Sequence, residues 1–256
     1  MLIVQRRRIA SALWTPAAIT TALWLDAADA STVTTVSGAV SQWNDKSGNS
    51  RHVSQGTAGN RPVVATTSVN SLNTILFTQT STLSGSIKEL RSSAAYTANR
   101  GSIFIVLKPA SSQQAFASVF QSRNQGLEGF RSAPAPNNQN TVTSNIANTI
   151  GRINGTPIQT FSASQNFHTY SANTALILGA VYPAASNISF VWSVGRDQVG
   201  EDNGRGFNGE VPEVVVLPQI DTTATHERIE GYLAHKWGLT ANLPADHPYK
   251  TAAPTV

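Results

Sequence analysis

The sequence predicts an all-β protein, an antiparallel β-sandwich with one amphipathic helix near its C-terminal end. Short apolar or alternating segments recur between turn signals, roughly eight to twelve residues apart, which is typical of sandwiches. The dipeptide Asn154–Gly155 stands between two runs that carry apolar residues. Because Asn-Gly readily adopts the positive φ values of a two-residue turn, it predicts a β-hairpin. These observations favour a sandwich over a parallel α/β sheet.

The composition supports a folded chain and excludes several kinds of site. The 256 residues include no cysteine, so disulfide frameworks, thiolate metal ligands and thiol catalysis are excluded. The charged fraction of 12% lies well below the usual value of about 25%. The hydrophobic fraction of 40% is too high for a disordered chain. We therefore expect a neutral, polar protein that is long enough to bury one large core.

The predicted strands are segments rich in β-branched and apolar residues. In chain order they are 33–43, 72–77, 102–107, the hairpin 150–158, 175–181, 188–194 and 211–217. The segment 102–107 is continuously apolar after its first residue and is followed by Pro109, which suits a strand buried on both faces. No internal repeat or long linker divides the chain.

One segment has helical rather than strand periodicity. Between Asp221 and Leu239 the apolar positions fall on one helical face, at Ile229, Tyr232, Leu233 and Trp237. Asp221, Thr222 or Thr223 can cap its start, and Gly238 stands where a helix is expected to end. This pattern predicts one amphipathic helix that lies against the sandwich.

The domain organisation is predicted to be one domain, residues 20–256, preceded by an N-terminal arm, residues 1–19. The arm contains Arg6, Arg7 and Arg8, while the rest of the chain has 15 cations against 14 anions. The net charge of +4 therefore resides mostly in the arm. Since no basic stripe with interleaved aromatics exists, we expect no nucleic-acid partner. The triplet fits a solvated arm, an arm paired with an acidic neighbour, or a phosphate or membrane anchor.

Targeting signals are weak. No apolar run approaches the roughly 18 residues of a membrane-spanning helix, so no membrane partner is expected. The first residues make a poor signal peptide, because their short apolar stretch precedes the arginines. We therefore expect synthesis in a cytoplasm. Lysis or a particle can still carry the protein out of the cell.

Segments near both ends of the chain carry a family resemblance. They are 24–30, 40–49 and 60–62 near the start, and 207–210, 213–216, 230–239 and 243–250 near the end. They resemble the concanavalin A-like (laminin-G-like jelly-roll) domains of tailed-bacteriophage virion structural proteins. The likeness covers about residues 20–250, although the middle is matched only by its strand pattern. It implies a two-sheet jelly roll that serves as a virion surface or adhesion module.

The motif residues themselves suggest structural roles. Large indole side chains supply anchors for a sandwich of polar sequence, and short polar side chains suit a turn held by hydrogen bonds to the backbone. Proline stiffens the tail so that Tyr249 can pack back on the domain. The residues concerned are Trp24, Asp26, Trp43, Asp45, Asn49, Tyr232, Trp237, His247 and Pro248.

Catalytic patterns are missing, and we expect a non-enzymatic protein. His226 and His235 lie nine residues apart, which places them on roughly opposite faces of a helix and excludes a shared zinc ion. A retaining glycosidase needs two carboxyl groups about 5 Å apart. Glu210 and Glu213 are three residues apart, as are Asp26 and Asp29, so strand alternation predicts opposite faces for each pair.

Ligand-binding candidates are few. Glu201, Asp202 and Asn203 offer oxygen ligands for calcium, but a solvated loop explains them better and no cofactor is expected. Tyr170, Tyr182 and Trp192 are candidate glycan contacts, since aromatic rings beside polar loops stack on sugars; the alternative for each of them is a position in the core.

The leading functional hypothesis is a capsid decoration, cement or head-fibre protein on the surface of a phage virion made in a bacterial host. Its arm would bury Leu2, Ile3 and Val4 on a neighbouring subunit and pair Arg6, Arg7 and Arg8 with acidic groups. Its partners would be capsid or tail proteins and further copies, with trimers plausible at lattice three-folds. The alternative is a tail-associated, receptor-binding, lectin-like module that recognises host glycans.

Overall fold

The structure is a computed structural model of the chain. It describes residues 12–79, 87–94, 96–110, 113, 117–122, 129–132, 141–144, 150–160, 165–169, 171–196, 205–219 and 221–256. Across those ranges, no helix has the length and apolar character that crossing a bilayer demands.

The described residues form seventeen strands, and every paired couple of strands runs antiparallel. The first nine are β1 (Leu23–Asp26), β2 (Val33–Val36), β3 (Ala39–Trp43), β4 (Val53–Ser54), β5 (Val63–Val69), β6 (Leu72–Phe77), β7 (Leu90–Ser92), β8 (Tyr96–Pro109) and β9 (Ser118–Ser122). The others are β10 (Gly129–Ser132), β11 (Thr141–Ser144), β12 (Ile150–Ile153), β13 (Thr156–Thr160), β14 (Gln165–Thr169), β15 (Leu176–Phe190), β16 (Trp192–Val194) and β17 (Gly209–Leu217). The all-β prediction is confirmed.

The strands form one connected sheet that folds into two packed layers. In the first layer β13, β12, β15, β8 and β17 pair in that order, and the far edge of β17 pairs with β1 and β6. In the second layer β3, β4, β7, β16, β9, β10, β11 and β14 pair in that order. Strand β5 pairs with both β6 and β3 and so joins the layers.

The single described α-helix, α1 (Thr223–Trp237), covers the outer face of the first layer. The side chain of Thr222 caps its start by accepting from the Thr225 N–H, and Gly238 ends it with φ 71° in the left-handed region. Both signals were predicted. Strand β8 is buried on both faces as predicted, because Ile103 and Ile105 face the inter-sheet core while Phe104 faces α1.

A bulge in β17 corrects one sequence prediction. Glu210 pairs with Lys108 and Glu213 pairs with Val106, so three residues of β17 span two residues of β8. The extra residue shifts the alternation of side chains by one position. Both carboxyl groups therefore point to the same face, the outer face of the first layer. Alternation alone predicted opposite faces. Pro212 lies in the bulge, where its missing N–H costs no ladder hydrogen bond.

The start of the described chain belongs to the body rather than to a free arm. The Trp14 N–H donates to the Pro254 carbonyl (2.9 Å), and Leu13 forms an antiparallel bridge with Thr255. The Trp14 indole is buried and packs edge-on against Tyr232, with ring centroids 6.0 Å apart. Residues 12–19, predicted as part of the arm, therefore pack on the domain, and the predicted arm residues from Leu2 to Arg8 lie outside the described residues.

The predicted hairpin is present between β12 and β13, with φ values of 48° at Asn154 and 86° at Gly155. A Cβ on Gly155 would lie 2.8 Å from the His247 ring. Replacing Gly155 with alanine is therefore expected to cost about 1–3 kcal/mol through backbone strain and this clash. Urea unfolding measures it against Gly59→Ala, where a Cβ meets open space and the cost should stay within about 0.5 kcal/mol. Equal unfolding midpoints for the two variants would contradict this account of the turn.

Candidate functional site

The terminal motif residues converge beneath α1. Asp26 and Glu213 are direct partners in the β1–β17 ladder. Lys236, from the last turn of α1, lies over both, with its Nζ 2.6 Å from Asp26 Oδ1 and 2.8 Å from Glu213 Oε2. One ammonium group thus joins the helix to two strands.

Glu213 is completely buried, yet both of its carboxylate oxygens have donors. Oε1 accepts from the Trp24 indole N–H (2.7 Å) and the Tyr232 hydroxyl (2.9 Å). Oε2 accepts from the Trp237 indole N–H (2.7 Å) in addition to Lys236. We call Trp24, Asp26, Glu213, Tyr232, Lys236 and Trp237 the anchoring network. Because the carboxylate is fully satisfied, its burial is compatible with a stable fold.

A second ammonium extends this network to the solvent side. Lys46 Nζ lies 3.0 Å from Asp26 Oδ2 and 2.8 Å from Asp29 Oδ2, and 4.5 Å from the centroid of the Trp24 ring. Asp26 and Asp29 were predicted to point apart. They converge on one cation because the chain leaves β1 after Asp26, so strand alternation no longer applies at Asp29.

The electrostatics follow from burial and these partners. Burial raises the pKa of Glu213, although Lys236 acts in the opposite direction. Burial and the nearby Glu213 charge raise the pKa of Tyr232 far above its ordinary value, so the phenol stays a donor. The hydrogen bond from Lys46 holds the pKa of Asp29 at about 2. Burial alone would lower the pKa of Lys46, but its bonds to Asp29 and Asp26 outweigh this and raise it.

The predicted polar turn is built on Asp45. Its Oδ1 accepts from the backbone N–H groups of Trp24 and Ser47, both at 2.9 Å. The Asn49 side chain donates to the Thr21 carbonyl (2.9 Å). The turn is held by side-chain hydrogen bonds to the backbone, and it also fixes the start of β1 and the position of Lys46.

A second buried ion pair lies further toward the start of α1 and was missed from the sequence. Arg152 on β12 donates to both carboxylate oxygens of Glu230, at 2.6 and 2.8 Å. His247 Nε2 lies 3.6 Å from Glu230 Oε2, and Tyr249 packs against Gly231. The tail therefore folds back on the helix as predicted. Glu230 lies three and seven residues before Leu233 and Trp237, on the apolar stripe, and that placement was the available signal for a buried partner.

The two histidines of the predicted helix have different partners. His226 faces the sheet, with Nε2 3.4 Å from Ser102 Oγ, and burial lowers its pKa. His235 Nε2 instead lies 2.9 Å from the Tyr249 carbonyl oxygen. Among the described residues, no group of three or more His, Asp or Glu side chains could hold a metal ion. The candidate calcium ligands Glu201, Asp202 and Asn203 lie outside the described residues.

Two of the three candidate glycan contacts are not displayed on the surface. Tyr182 and Trp192 are each 1% exposed and belong to the core between the layers, so a glycan in solvent cannot stack on them. Strand alternation could have indicated these core positions. Tyr182 shares a strand face with Leu178, and Trp192 shares one with Val194. Tyr170 lies outside the described residues.

The anchoring network is a set of buried ion pairs and hydrogen bonds between α1 and the first layer. The ammonium of Lys236 binds both Asp26 and Glu213, and Glu213 has no exposed surface. Two indoles and a phenol complete its shell. The arrangement holds α1 on the first layer.

Comparisons with known proteins add little. No protein-family model matches the chain, and no curated protein matches it. A solved GH54 α-L-arabinofuranosidase, soaked with a cyclic sulfate inhibitor, is similar at a TM-score of 0.44 and 12% identity. The match covers 82% of this chain and 58% of the arabinofuranosidase chain.

This match corrects the expectation of a non-enzymatic protein. The similar structure is a glycoside hydrolase, so the sequence-based expectation of a non-enzymatic protein is contradicted. At this TM-score and identity, the likeness assigns no activity and no catalytic residue to the present chain.

Proposed function

We propose that the chain is a structural component of a tailed-bacteriophage virion, with a concanavalin A-like jelly-roll body that decorates or cements the head surface. One observation carries the proposal. The residues of the terminal motifs that resemble virion domains converge on one anchoring network, from β1, β17 and α1. The resemblance therefore covers the framework of the body rather than an isolated segment.

The arm supplies the attachment in this proposal. Since the body begins by residue 12, the attachment segment is residues 1–11, shorter than the sequence predicted. Leu2, Ile3 and Val4 would bury against a neighbouring subunit, and Arg6, Arg7 and Arg8 would pair with acidic groups of the shell. The neighbours would be capsid proteins and further copies of this chain, arranged as trimers at lattice three-folds.

Deleting residues 1–11 is expected to abolish incorporation into particles while the body stays folded. The measurement is the amount of protein that co-sediments with purified particles, together with the thermal unfolding midpoint of the free protein. A matched control replaces residues 1–11 with a Gly/Ser segment of equal length, which separates the effect of sequence from that of length. Normal incorporation of either variant would contradict the attachment role.

The alternative proposal is a tail-associated, lectin-like module. It is favoured by a polar recess of about 290 Å³ on the second layer, lined in part by Gln42, Gln55 and Arg61, whose groups suit sugar hydroxyls. A glycan array with a specific hit that Arg61→Ala removes would support this function. A blank array would count against it.

A further inference from the structure

An apolar pocket of about 400 Å³ lies where the two ends of the described chain meet. Trp14, Tyr232, Ala253 and Pro254 line it, and Leu13 forms part of its rim. Leu13 is 69% exposed, and Val256 beside it is 78% exposed. These are two of the few large apolar side chains that the described surface leaves open to solvent.

The polar side chains at the pocket wall are already engaged within the protein. Lys236 is bound to Asp26 and Glu213, and His235 is hydrogen-bonded to the Tyr249 carbonyl. The pocket therefore offers contact area to aliphatic side chains and little to a charged ligand.

The sequence contains a segment of matching chemistry next to this pocket. Leu2, Ile3 and Val4 are consecutive aliphatic residues in the eleven that precede the described chain, which begins at the rim. The other runs of three or more consecutive Leu, Ile or Val residues lie in β8, β15 and β17. We infer that the pocket of one copy receives residues 2–4 of a second copy, so that copies are linked through their arms.

The connecting residues favour a second copy over the same chain. Residues 5–11 contain no Gly, Pro, Asn or Asp, and Ser11 is the single residue among them of a type that favours turns. Arg6, Arg7 and Arg8 carry like charges, which repel one another. In extended form, residues 2–11 span about 30 Å, enough to leave one body and reach an adjacent one.

The inference rests on the attachment role of the arm, but its test uses purified protein without particles. Sedimentation velocity of the full chain over a concentration series should show association that Leu2→Ser/Ile3→Ser/Val4→Ser removes. Ala253→Trp, which fills the pocket, should also remove it. Ala252→Trp is the matched control, because Ala252 is exposed and does not line the pocket. The thermal unfolding midpoint checks that each variant is folded. The three residues changed in the serine variant lie outside the described residues.

A mixing experiment identifies the occupant. The chain lacking residues 1–11 has a pocket and no arm, and Ala253→Trp has an arm and no pocket. Each should be monomeric alone, and the two should associate when mixed. A monomeric full chain, or a mixture that stays monomeric, would overturn the inference. So would association that survives the triple serine variant. In those cases the virion proposal still depends on its own incorporation test.

Discussion

Replacing Glu213 with glutamine is expected to lower the free energy of unfolding by about 3–5 kcal/mol. The carboxylate is fully buried and accepts from two indoles, a phenol and an ammonium. A glutamine of the same shape would turn an N–H toward one of these donors and would leave Lys236 with one carboxylate, that of Asp26. Urea unfolding followed by far-UV circular dichroism measures the change.

The control for this variant is Glu227→Gln on α1, the helix that the anchoring network holds. Glu227 is partly exposed, so the change should stay within about 0.5 kcal/mol. Near-UV circular dichroism reports on Trp24 and Trp237, and its signal should weaken only in the Glu213 variant. An unchanged urea midpoint for Glu213→Gln would show that the anchoring network does not hold α1 in place.

The second large effect is expected at the Arg152–Glu230 ion pair beneath the middle of α1. Arg152→Met leaves the Glu230 carboxylate buried beside His247 without its bidentate partner, at an expected cost of about 3–5 kcal/mol. The double variant Arg152→Met/Glu230→Met removes both charges and keeps the apolar volume. Its cost should be smaller than that of Arg152→Met alone, because buried pairs can often be replaced by apolar residues.

Comparing the single variants Arg152→Met and Glu230→Met with the double variant separates the contribution of charge from that of packing. If the double variant loses as much stability as the two single variants together, the residues act independently and the ion pair has no coupling. That result would contradict the description of Arg152 and Glu230 as one buried unit.

Local signals in the sequence were sufficient for much of the fold. The helix cap within residues 221–223, the stop at Gly238 and the hairpin at Asn154–Gly155 depend on neighbours within a few residues, and all three are confirmed, with the cap at Thr222. The motif tryptophans Trp24, Trp43 and Trp237 are buried as expected, since a sandwich of polar sequence needs large apolar anchors.

The errors arose where local rules were interrupted or where long-range pairing decided the outcome. Alternation failed at Glu213 because a bulge adds a residue to β17, and at Asp29 because the strand ends first. The Arg152–Glu230 pair joins residues 78 positions apart, and no local pattern identifies Arg152 as the partner of Glu230. Glu213 accepts from the indoles of Trp24 and Trp237, and it could not be identified as their partner before the register of β1 against β17 was known.

Electron microscopy of particles that carry the labelled protein tests the central proposal most directly. The account predicts many copies in a regular array on the head, and their loss when residues 1–11 are deleted. A few copies confined to the tail would contradict the decoration or cement role and favour the lectin-like alternative. Particles that carry no copy would contradict both.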